Sequence, residues 1–165
     1  MINGKNTKIF IYIIIVLLVL ALDRTSKIII LNILENSGTV DIYINSFLSL
    51  YLVWNKGIGF GLLSFDQSYI YTGITLFILL INLIIIYLIF KEKAPKTYFL
   101  ALILGGSFGN LFDRYYYNAV PDFIDLNYNG YHWFIFNVAD IFITLGIICL
   151  ILAEFFNYKK QNDKK

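Results

Sequence analysis

Four long runs of apolar residues restrict what this chain can fold into. They cover roughly residues 9–31, 69–90, 97–112 and 133–156. A helix needs about 20 mainly apolar residues to cross the hydrocarbon of a bilayer. Hydrophobic residues make up 59% of the 165 residues and charged residues only 15%, which is too much apolar surface for a chain of this length to hide from water. The sequence therefore predicts a mainly α-helical membrane protein with four transmembrane helices, folded as a single domain over residues 1–165.

The first apolar run is interrupted by a polar cluster. Its unbroken part, residues 9–22, is too short to span a bilayer alone. We therefore expect the helix to continue through Asp23 and Lys27 and to place both near one membrane face. The lysines ahead of this run resemble the start of a secretory signal, but no small-x-small cleavage site follows it. This pattern predicts a first helix that is retained in the mature protein.

The lysines predict an orientation in the membrane. They precede the first span, fill the short loop between the second and third spans, and follow the fourth span: Lys5, Lys8, Lys91, Lys93, Lys96, Lys159, Lys160, Lys164 and Lys165. With four spans these three regions share one side, which the positive-inside rule makes cytoplasmic. Both termini are then inside. The segment between the first two spans and the loop from Arg114 to His132 face the outside.

The first outer segment, roughly residues 38–64, is expected to form a small extracytoplasmic sheet. Residues 40–45 partly alternate between polar and apolar, and residues 47–54 are rich in aromatic and bulky apolar side chains. Both patterns are typical of strands. Gly57 begins a glycine-rich stretch that allows a tight backbone path. We expect this sheet to lie on the outer leaflet, with its aromatic side chains at the level of the headgroups.

Charged side chains within a membrane cost at least a few kcal/mol each and need a partner, a water-filled cavity or a function. Those within or at the ends of the spans are Asp23, Lys27, Asp113, Arg114 and Asp140, with Asn82, Asn110 and Asn137 as uncharged polar neighbours. Asp140 lies seven residues after Trp133, which predicts a carboxylate about 10 Å into the fourth span.

Spacing places several of these polar residues on shared helix faces. The pairs three or four residues apart are Asp23 with Lys27, Asn110 with Asp113, and Asn137 with Asp140. In the third span, Gly105 and Gly109 form a small-residue motif that lets another helix approach closely. We therefore expect the outer ends of the first, third and fourth spans to meet in one polar cluster beneath the outer sheet.

Asp122 follows the third span and lies between apolar neighbours, so it can reach the membrane surface. If it meets Asp140, two carboxylates share a poorly solvated place, where both cannot ionise and one proton is shared. One carboxylate then activates water and the other polarises the scissile carbonyl, which is the aspartic-protease arrangement. The residue pattern alone leaves Asp125, interpreted as a surface loop acid, as an alternative partner for Asp140.

Five sequence blocks occur in an order typical of one enzyme family. They are Asp23-Arg24-Thr25-Ser26-Lys27, Asn55-Lys56-Gly57-Ile58-Gly59-Phe60-Gly61, Gly105-Gly106-Ser107-Phe108-Gly109-Asn110-Leu111-Phe112-Asp113-Arg114, Val120-Pro121-Asp122-Phe123 and Phe136-Asn137-Val138-Ala139-Asp140. With these blocks and four spans, the chain resembles the lipoprotein signal peptidases, also called signal peptidase II, over almost its whole length.

The resemblance implies a function and a set of site residues. Asp122 and Asp140 would be the catalytic pair of an aspartic endopeptidase without a cofactor or metal. The residues that would position the pair and the substrate, or support the site, are Asp23, Lys27, Asn55, Gly57, Asn110, Asp113, Arg114 and Asn137. The substrates implied are diacylglyceryl-modified bacterial prolipoproteins, cut before the lipidated cysteine. The fold implied is four helices, a β-cradle and a short outer helix in the bacterial inner membrane, surrounded by membrane lipids and monomeric.

The chain departs from the usual family pattern at three places. Arg24 stands where the family usually has glutamine. Ile58 and Gly59 replace two alanines of the second block, and Ser107-Phe108 replaces a small residue followed by an aliphatic one. None of these changes removes a proposed acid.

Other site chemistries find little support in the sequence. The net charge is only +2 and the basic residues form no stripe, so no nucleic-acid partner is expected. The single cysteine, Cys149, lies in an apolar run and suggests neither a disulfide nor a metal site. Ser26 and Lys27 are adjacent on a helix and point in different directions, which argues against a serine–lysine couple. His132, next to Trp133, is interpreted as an interfacial residue.

Two other functions, and a structural reading of one residue pair, remain open alternatives. Acids within a membrane also serve as proton or ion relays, but a relay needs acids at several depths, and here only Asn82 lies far from the outer end. A non-catalytic assembly subunit would need the acids only for stability. Asp113 and Arg114 fit equally well a structural role in which they cap the third span and pair with each other.

Overall fold

The computed structural model describes residues 4–57, 68–128 and 131–162 as four helices and four strands. In chain order they are α1 (Gly4–Ser37), β1 (Asp41–Asn45), β2 (Leu48–Asn55), α2 (Ser68–Lys91), α3 (Lys96–Tyr117), β3 (Val120–Tyr128), β4 (Tyr131–Phe136) and α4 (Val138–Asn162). The mainly helical fold with a small sheet agrees with the prediction.

Three of the four helices are long and apolar enough to cross a membrane. The apolar stretches lie in α1, α2 and α4, over Thr7–Ser37, Tyr69–Lys91 and Val138–Asn157. Helix α3 differs because it packs against each of the other three helices and carries buried polar residues and glycines along its length. A helix that packs against neighbours on several sides does not need apolar residues around its whole circumference. The packing of α3 therefore explains why it is less apolar than α1, α2 and α4.

The helix boundaries correct two predictions. Helix α1 continues six residues beyond the predicted end at residue 31, to Ser37. Residues 133–136, predicted to begin the fourth span, belong to strand β4, and α4 begins only at Val138. Asp140 therefore lies in the first turn of its helix, and the prediction that it lies about 10 Å into the span was wrong.

The four strands form one antiparallel sheet in the order β1-β2-β3-β4. Strands β1 and β2 confirm the sheet predicted for the first outer segment. Strand β3 comes from the region predicted to be a loop after the third span, and β4 covers the end of that loop and the start of the predicted fourth span. A buried cluster of Ile30, Val40 and Phe123 fixes the sheet to the end of α1, so the sheet covers the same end of the helices as the polar cluster.

Glycines bring α3 close to its neighbours, as predicted for Gly105 and Gly109. A Cβ added at Gly105 would lie 2.8 Å from the Cβ of Val19 in α1. One added at Gly106 would lie 2.5 Å from the backbone oxygen of Ala139 in α4. These contacts leave no room for a side chain, so the glycines allow α3 to pack closely against both helices.

Part of one prediction lies outside the described residues. The second sequence block continues over residues 58–61, and the predicted outer segment over residues 58–64, beyond the end of the described stretch at Gly57. Within residues 4–57, 68–128 and 131–162 the helices are the four named above, and none of them is the short outer helix that the resemblance implied.

Candidate active site

Asp122 is held in strand β3 by two uncharged side-chain amides. Its carboxylate is buried, with 2% of the residue exposed. The Nδ2 of Asn55 donates a hydrogen bond to Oδ2 at 2.9 Å, and the Nδ2 of Asn137 donates to Oδ1 at 2.6 Å. Asn55 reaches this position because it pairs with Val120, two residues before Asp122, in the β2–β3 ladder.

Asp140 is held by a reciprocal cap at the start of α4. Its backbone N–H donates to Oδ1 of Asn137 at 3.2 Å, and the backbone N–H of Asn137 donates to Oδ2 of Asp140 at 3.1 Å. This is a capping box made with asparagine and aspartate, and it satisfies two donors at the helix terminus. The Nδ2 of Asn110 donates to the other carboxylate oxygen, Oδ1, at 2.8 Å.

Asn137 therefore joins the two acids. Its side-chain nitrogen contacts Asp122, while its backbone nitrogen and side-chain oxygen contact Asp140. Burial raises the pKa of Asp122 to about 7, and the neighbouring carboxylate of Asp140 adds to this rise, against the smaller lowering effect of the Asn55 and Asn137 hydrogen bonds. With this raised pKa, the carboxyl group of Asp122 is suited to share one proton with the neighbouring carboxyl group of Asp140 near neutral pH.

Behind the two acids lies a group of four charged side chains, which we call the buried ion quartet: Asp23, Arg24, Lys27 and Asp113. Lys27 Nζ lies 2.8 Å from Asp23 Oδ1 and 2.6 Å from Asp113 Oδ2. Arg24 Nη2 lies 3.0 Å from Asp23 Oδ2 and 2.6 Å from Asp113 Oδ1. The two carboxylates and two cations have no formal net charge. This pairing lowers the free-energy cost of burying Asp23, Lys27 and Asp113 completely.

The buried ion quartet contacts the capped end of α4 at two points. Lys27 Nζ donates to Asn110 Oδ1 at 2.9 Å, which turns the amide nitrogen of Asn110 toward Asp140. Asp23 Oδ1 accepts the backbone N–H of Ala139 at 3.1 Å. A Cβ at Gly109 would collide with the carboxylate of Asp23, so a glycine is needed where Asp23 crosses α3. The quartet thus fixes the position of the first turn of α4, and with it Asp140.

Arg114 and Gly57 support the site from the other side. Arg114 donates to the carbonyl oxygen of Gly57, and the backbone N–H of Gly57 donates to Oδ1 of Asn55 at 2.7 Å. These bonds hold the Asn55 amide that binds Asp122. Asp113 and Arg114 do not pair with each other, because Asp113 pairs with Lys27 and Arg24. The alternative in which they cap the third span as a pair was therefore wrong.

The chain is similar to known proteins over most of its length. The family model for signal peptidase (SPase) II matches residues 15–156. The lipoprotein signal peptidase of Pelagibacter ubique (strain HTCC1062) is 56% identical over 164 residues, which are 99% of this chain and 98% of that protein. The chain belongs to the signal peptidase II family. This family removes signal peptides from prolipoproteins, and the chain is accordingly a membrane protease.

Two further similarities cover most of the chain. The lipoprotein signal peptidase of Francisella tularensis subsp. novicida (strain U112) is 39% identical over 154 residues, 91% of this chain and 94% of that protein. A solved bacterial membrane enzyme is 28% identical and superposes with a TM-score of 0.74 over 95% of this chain and 93% of that one. The fold and the family assignment therefore support each other.

The structure brings the predicted site residues together. All ten predicted site residues lie at one end of the helices, linked by the hydrogen bonds and ion pairs described above: Asp23, Lys27, Asn55, Gly57, Asn110, Asp113, Arg114, Asp122, Asn137 and Asp140. Within the described ranges, no group of acids, histidines and cysteines has an arrangement that would hold a metal ion.

The structure corrects the interpretation of two other residues. Arg24, noted in the sequence only as a departure from the family pattern, is the second cation of the buried ion quartet. Asp125 is not a surface loop acid, since it is completely buried. Its Oδ2 accepts from Asn127 Nδ2 at 2.9 Å and lies 2.7 Å from Nδ1 of His132. No sequence signal marked this burial, because residues 124–128 alternate with Asp125 among the polar positions, whereas in β3 Asp125 is buried and Leu126 is exposed.

Proposed function

We propose that this signal peptidase II is an intramembrane aspartic endopeptidase whose catalytic pair is Asp122 and Asp140. It removes the signal peptide from diacylglyceryl-modified bacterial prolipoproteins by cutting before the lipidated cysteine. The observation that carries the proposal is the connection of two buried carboxylates through Asn137, one of them with a pKa of about 7. The family of the chain supplies the substrate class.

The pair would work with one shared proton. The ionised carboxylate takes a proton from a water molecule as the water oxygen attacks the scissile carbonyl carbon, and the protonated carboxyl donates its proton to the carbonyl oxygen. When the resulting diol collapses, the carbon–nitrogen bond breaks and the leaving nitrogen takes the proton that came from water. The second proton returns to the pair as the carbonyl forms again, so the pair ends singly protonated.

The proposed setting is the bacterial cytoplasmic membrane. We place α3 as the fourth span, because it packs among three apolar helices. The lysine pattern supports cytoplasmic termini and an active site at the extracytoplasmic face. Because every supporting contact of the two acids comes from the same chain, a monomer is sufficient for activity.

A gel-shift assay with three isosteric variants tests the proposal. Purified protein in detergent is given a diacylglyceryl-modified prolipoprotein, and cleavage by the parent is compared with that by Asp122→Asn, Asp140→Asn and Asp125→Asn. Loss of a catalytic acid or base costs about 10²–10⁴-fold, so we expect the first two variants to fall by at least about 100-fold.

Asp125→Asn is the matched control, because Asp125 is a buried acid of the same strand outside the proposed pair. The rate of cleavage by Asp125→Asn should stay within about threefold of the parent rate, which is a change of under about 1 kcal/mol in the activation free energy. Folding of all variants is checked by size-exclusion chromatography and thermal unfolding. A folded Asp122→Asn or Asp140→Asn variant with parental cleavage would refute the proposed pair.

A further inference from the structure

Helices α1 and α2 leave a cleft open toward the membrane. They have hardly any contact with each other over the described residues, while both pack against α3. The floor of the cleft is therefore α3, with Phe108, Leu111 and Phe112 along it. The cavity at the outer end measures about 1060 Å³, just above the usual range for ligand pockets of about 300–1,000 Å³.

The cleft is apolar along its length and cationic at one end. A second apolar cavity of about 240 Å³ shares Phe108 with the first and continues between α1 and α2 toward Ile9 and Phe90. Tyr71 and Leu79 both line the outer cavity, and eight residues of helix between them correspond to about 12 Å. That length is close to one leaflet of a hydrocarbon layer of about 30 Å. The shape therefore suits acyl chains entering from the outer leaflet.

Arg114 brings a positive charge to the outer end of this cleft, where its guanidinium carbon lies 5.4 Å from the centre of the Tyr71 ring. Only 4% of the residue is exposed, and no carboxylate among the described residues forms an ion pair with it. Its Nε and Nη1 are buried without a hydrogen-bond partner in the described part of the chain. A cation in this position is costly unless an anion joins it.

Arg24 lines the same end of the cleft and differs from Arg114 in its charge balance. Its Nη2 lies against the two carboxylates of the buried ion quartet, but its Nε is also buried without a partner. Arg24 therefore offers a hydrogen-bond donor, whereas Arg114 offers both donors and a charge that no carboxylate of residues 4–57, 68–128 and 131–162 balances in an ion pair. Two guanidinium groups with spare N–H groups beside an apolar cleft are complementary to a phosphate on a pair of acyl chains.

We propose that the cleft between α1 and α2 binds an anionic phospholipid, with its phosphodiester at Arg114 and Arg24 and its acyl chains along α3. Charge complementarity selects an anionic phospholipid over a neutral diacylglyceryl group, which has no charge to match that of Arg114. Neither of the two acids lines this cleft, although Arg114 also holds Gly57 beside the candidate active site.

Tryptophan quenching by brominated lipid tests the proposal. In a full-length background with Trp54→Phe and Trp133→Phe, a single reporter is introduced as Leu79→Trp, inside the cleft, or as Leu80→Trp, its matched control. Leu80 is adjacent and exposed but does not line the cleft. Phosphatidylglycerol with brominated chains is titrated into the purified protein in detergent, beside brominated diacylglycerol as a probe with the same chains and no phosphate.

We expect the fluorescence of Leu79→Trp to be quenched saturably at low phosphatidylglycerol content, and that of Leu80→Trp to fall gradually without saturation. Arg114→Gln should raise the half-saturating concentration about tenfold or more, because it removes the charged hydrogen bonds. Arg24→Gln should raise the half-saturating concentration by a smaller factor. This variant replaces Arg114→Gln in the test if Arg114→Gln does not fold. The proposal is overturned by equal quenching curves at both reporters, by equal binding of diacylglycerol and phosphatidylglycerol, or by displacement of the lipid with a diacylglyceryl-modified prolipoprotein.

Discussion

Asp122 and Asp125 lie three residues apart in strand β3. Both are buried, but their carboxylates contact different neighbouring groups. Asp122 lies opposite Val53 and receives uncharged amides from Asn55 and Asn137. Asp125 lies opposite Ser49 and contacts Asn127 and the half-exposed side chain of His132. The two carboxylates differ in their neighbours rather than in their depth.

The difference shows what prepares a carboxylate for catalysis. The carboxylate of a second acid, Asp140, adds to the effect of burial in raising the pKa of Asp122 to about 7. Asp125 instead faces an imidazole that supports it from the sheet surface. Burial beside another acid stores a proton, whereas burial beside an imidazole stabilises the sheet. Four predictions test this contrast, in order of decreasing expected effect.

The first prediction concerns the pH dependence of stability. Because the pKa of Asp122 is raised from 3.8 to about 7, the folded protein keeps a proton that the unfolded chain releases. The free energy of unfolding should fall as the pH rises from about 4 to 7, by up to about 4 kcal/mol. Asp122→Asn should remove most of this slope. Thermal unfolding in detergent at pH 4.5 and pH 8 measures this change in stability. An equal change with pH in the parent and in Asp122→Asn would contradict the prediction.

The second prediction compares the two asparagines that serve these acids. Asn137→Ser keeps a good N-cap for α4 but is too short to replace the amide donor to Asp122, so we expect cleavage to fall about 100-fold. Asn127→Ser is the matched change beside Asp125 and should keep cleavage within about threefold. Rates of prolipoprotein cleavage measure both. Equal losses in the two variants would mean that the asparagines have only a structural role.

The third prediction uses the charge of the buried ion quartet to sharpen the contrast. Arg24→Gln leaves the quartet with one excess negative charge, which favours protonation of the nearby catalytic pair. The alkaline limb of the cleavage rate, expected near pH 7 from the pKa of Asp122, should move to higher pH by under about one unit. Arg24→Lys keeps the charge and should leave the limb in place. A shift to lower pH in Arg24→Gln would show that the quartet does not act through charge.

The sequence predicts well those features that depend on local spacing. The apolar runs placed α1 and α2, and the four-residue spacing of Asp23 and Lys27 anticipated their ion pair. The small-residue spacing of Gly105 and Gly109 anticipated the close contact with α1. Each of these depends on helix periodicity, which a single sequence carries directly.

What the sequence missed depends on contacts between distant residues. Residues 133–136 are apolar and aromatic, and so short a run fits a strand as well as the start of a helix. Only its pairing with β3 makes it β4. Asp125 was interpreted as a loop acid because its partner His132 lies across a strand pair. Choosing Asp122 over Asp125 needed the family motif, since spacing along the chain could not reveal that Asn55 and Asn137 converge on Asp122.

The fourth and smallest effect is expected at His132, on the Asp125 side of the comparison. His132→Phe keeps an aromatic side chain on β4 and removes the nitrogen that lies 2.7 Å from Asp125. Because the His132 side chain is 57% exposed, solvent replaces part of the lost contact, and we expect a loss of about 1 kcal/mol or less. This corresponds to about 2–4 °C in the thermal midpoint, with cleavage unchanged. A folded His132→Phe variant that loses cleavage would make Asp125 and His132 part of the catalytic site and end the distinction between the two acids of β3.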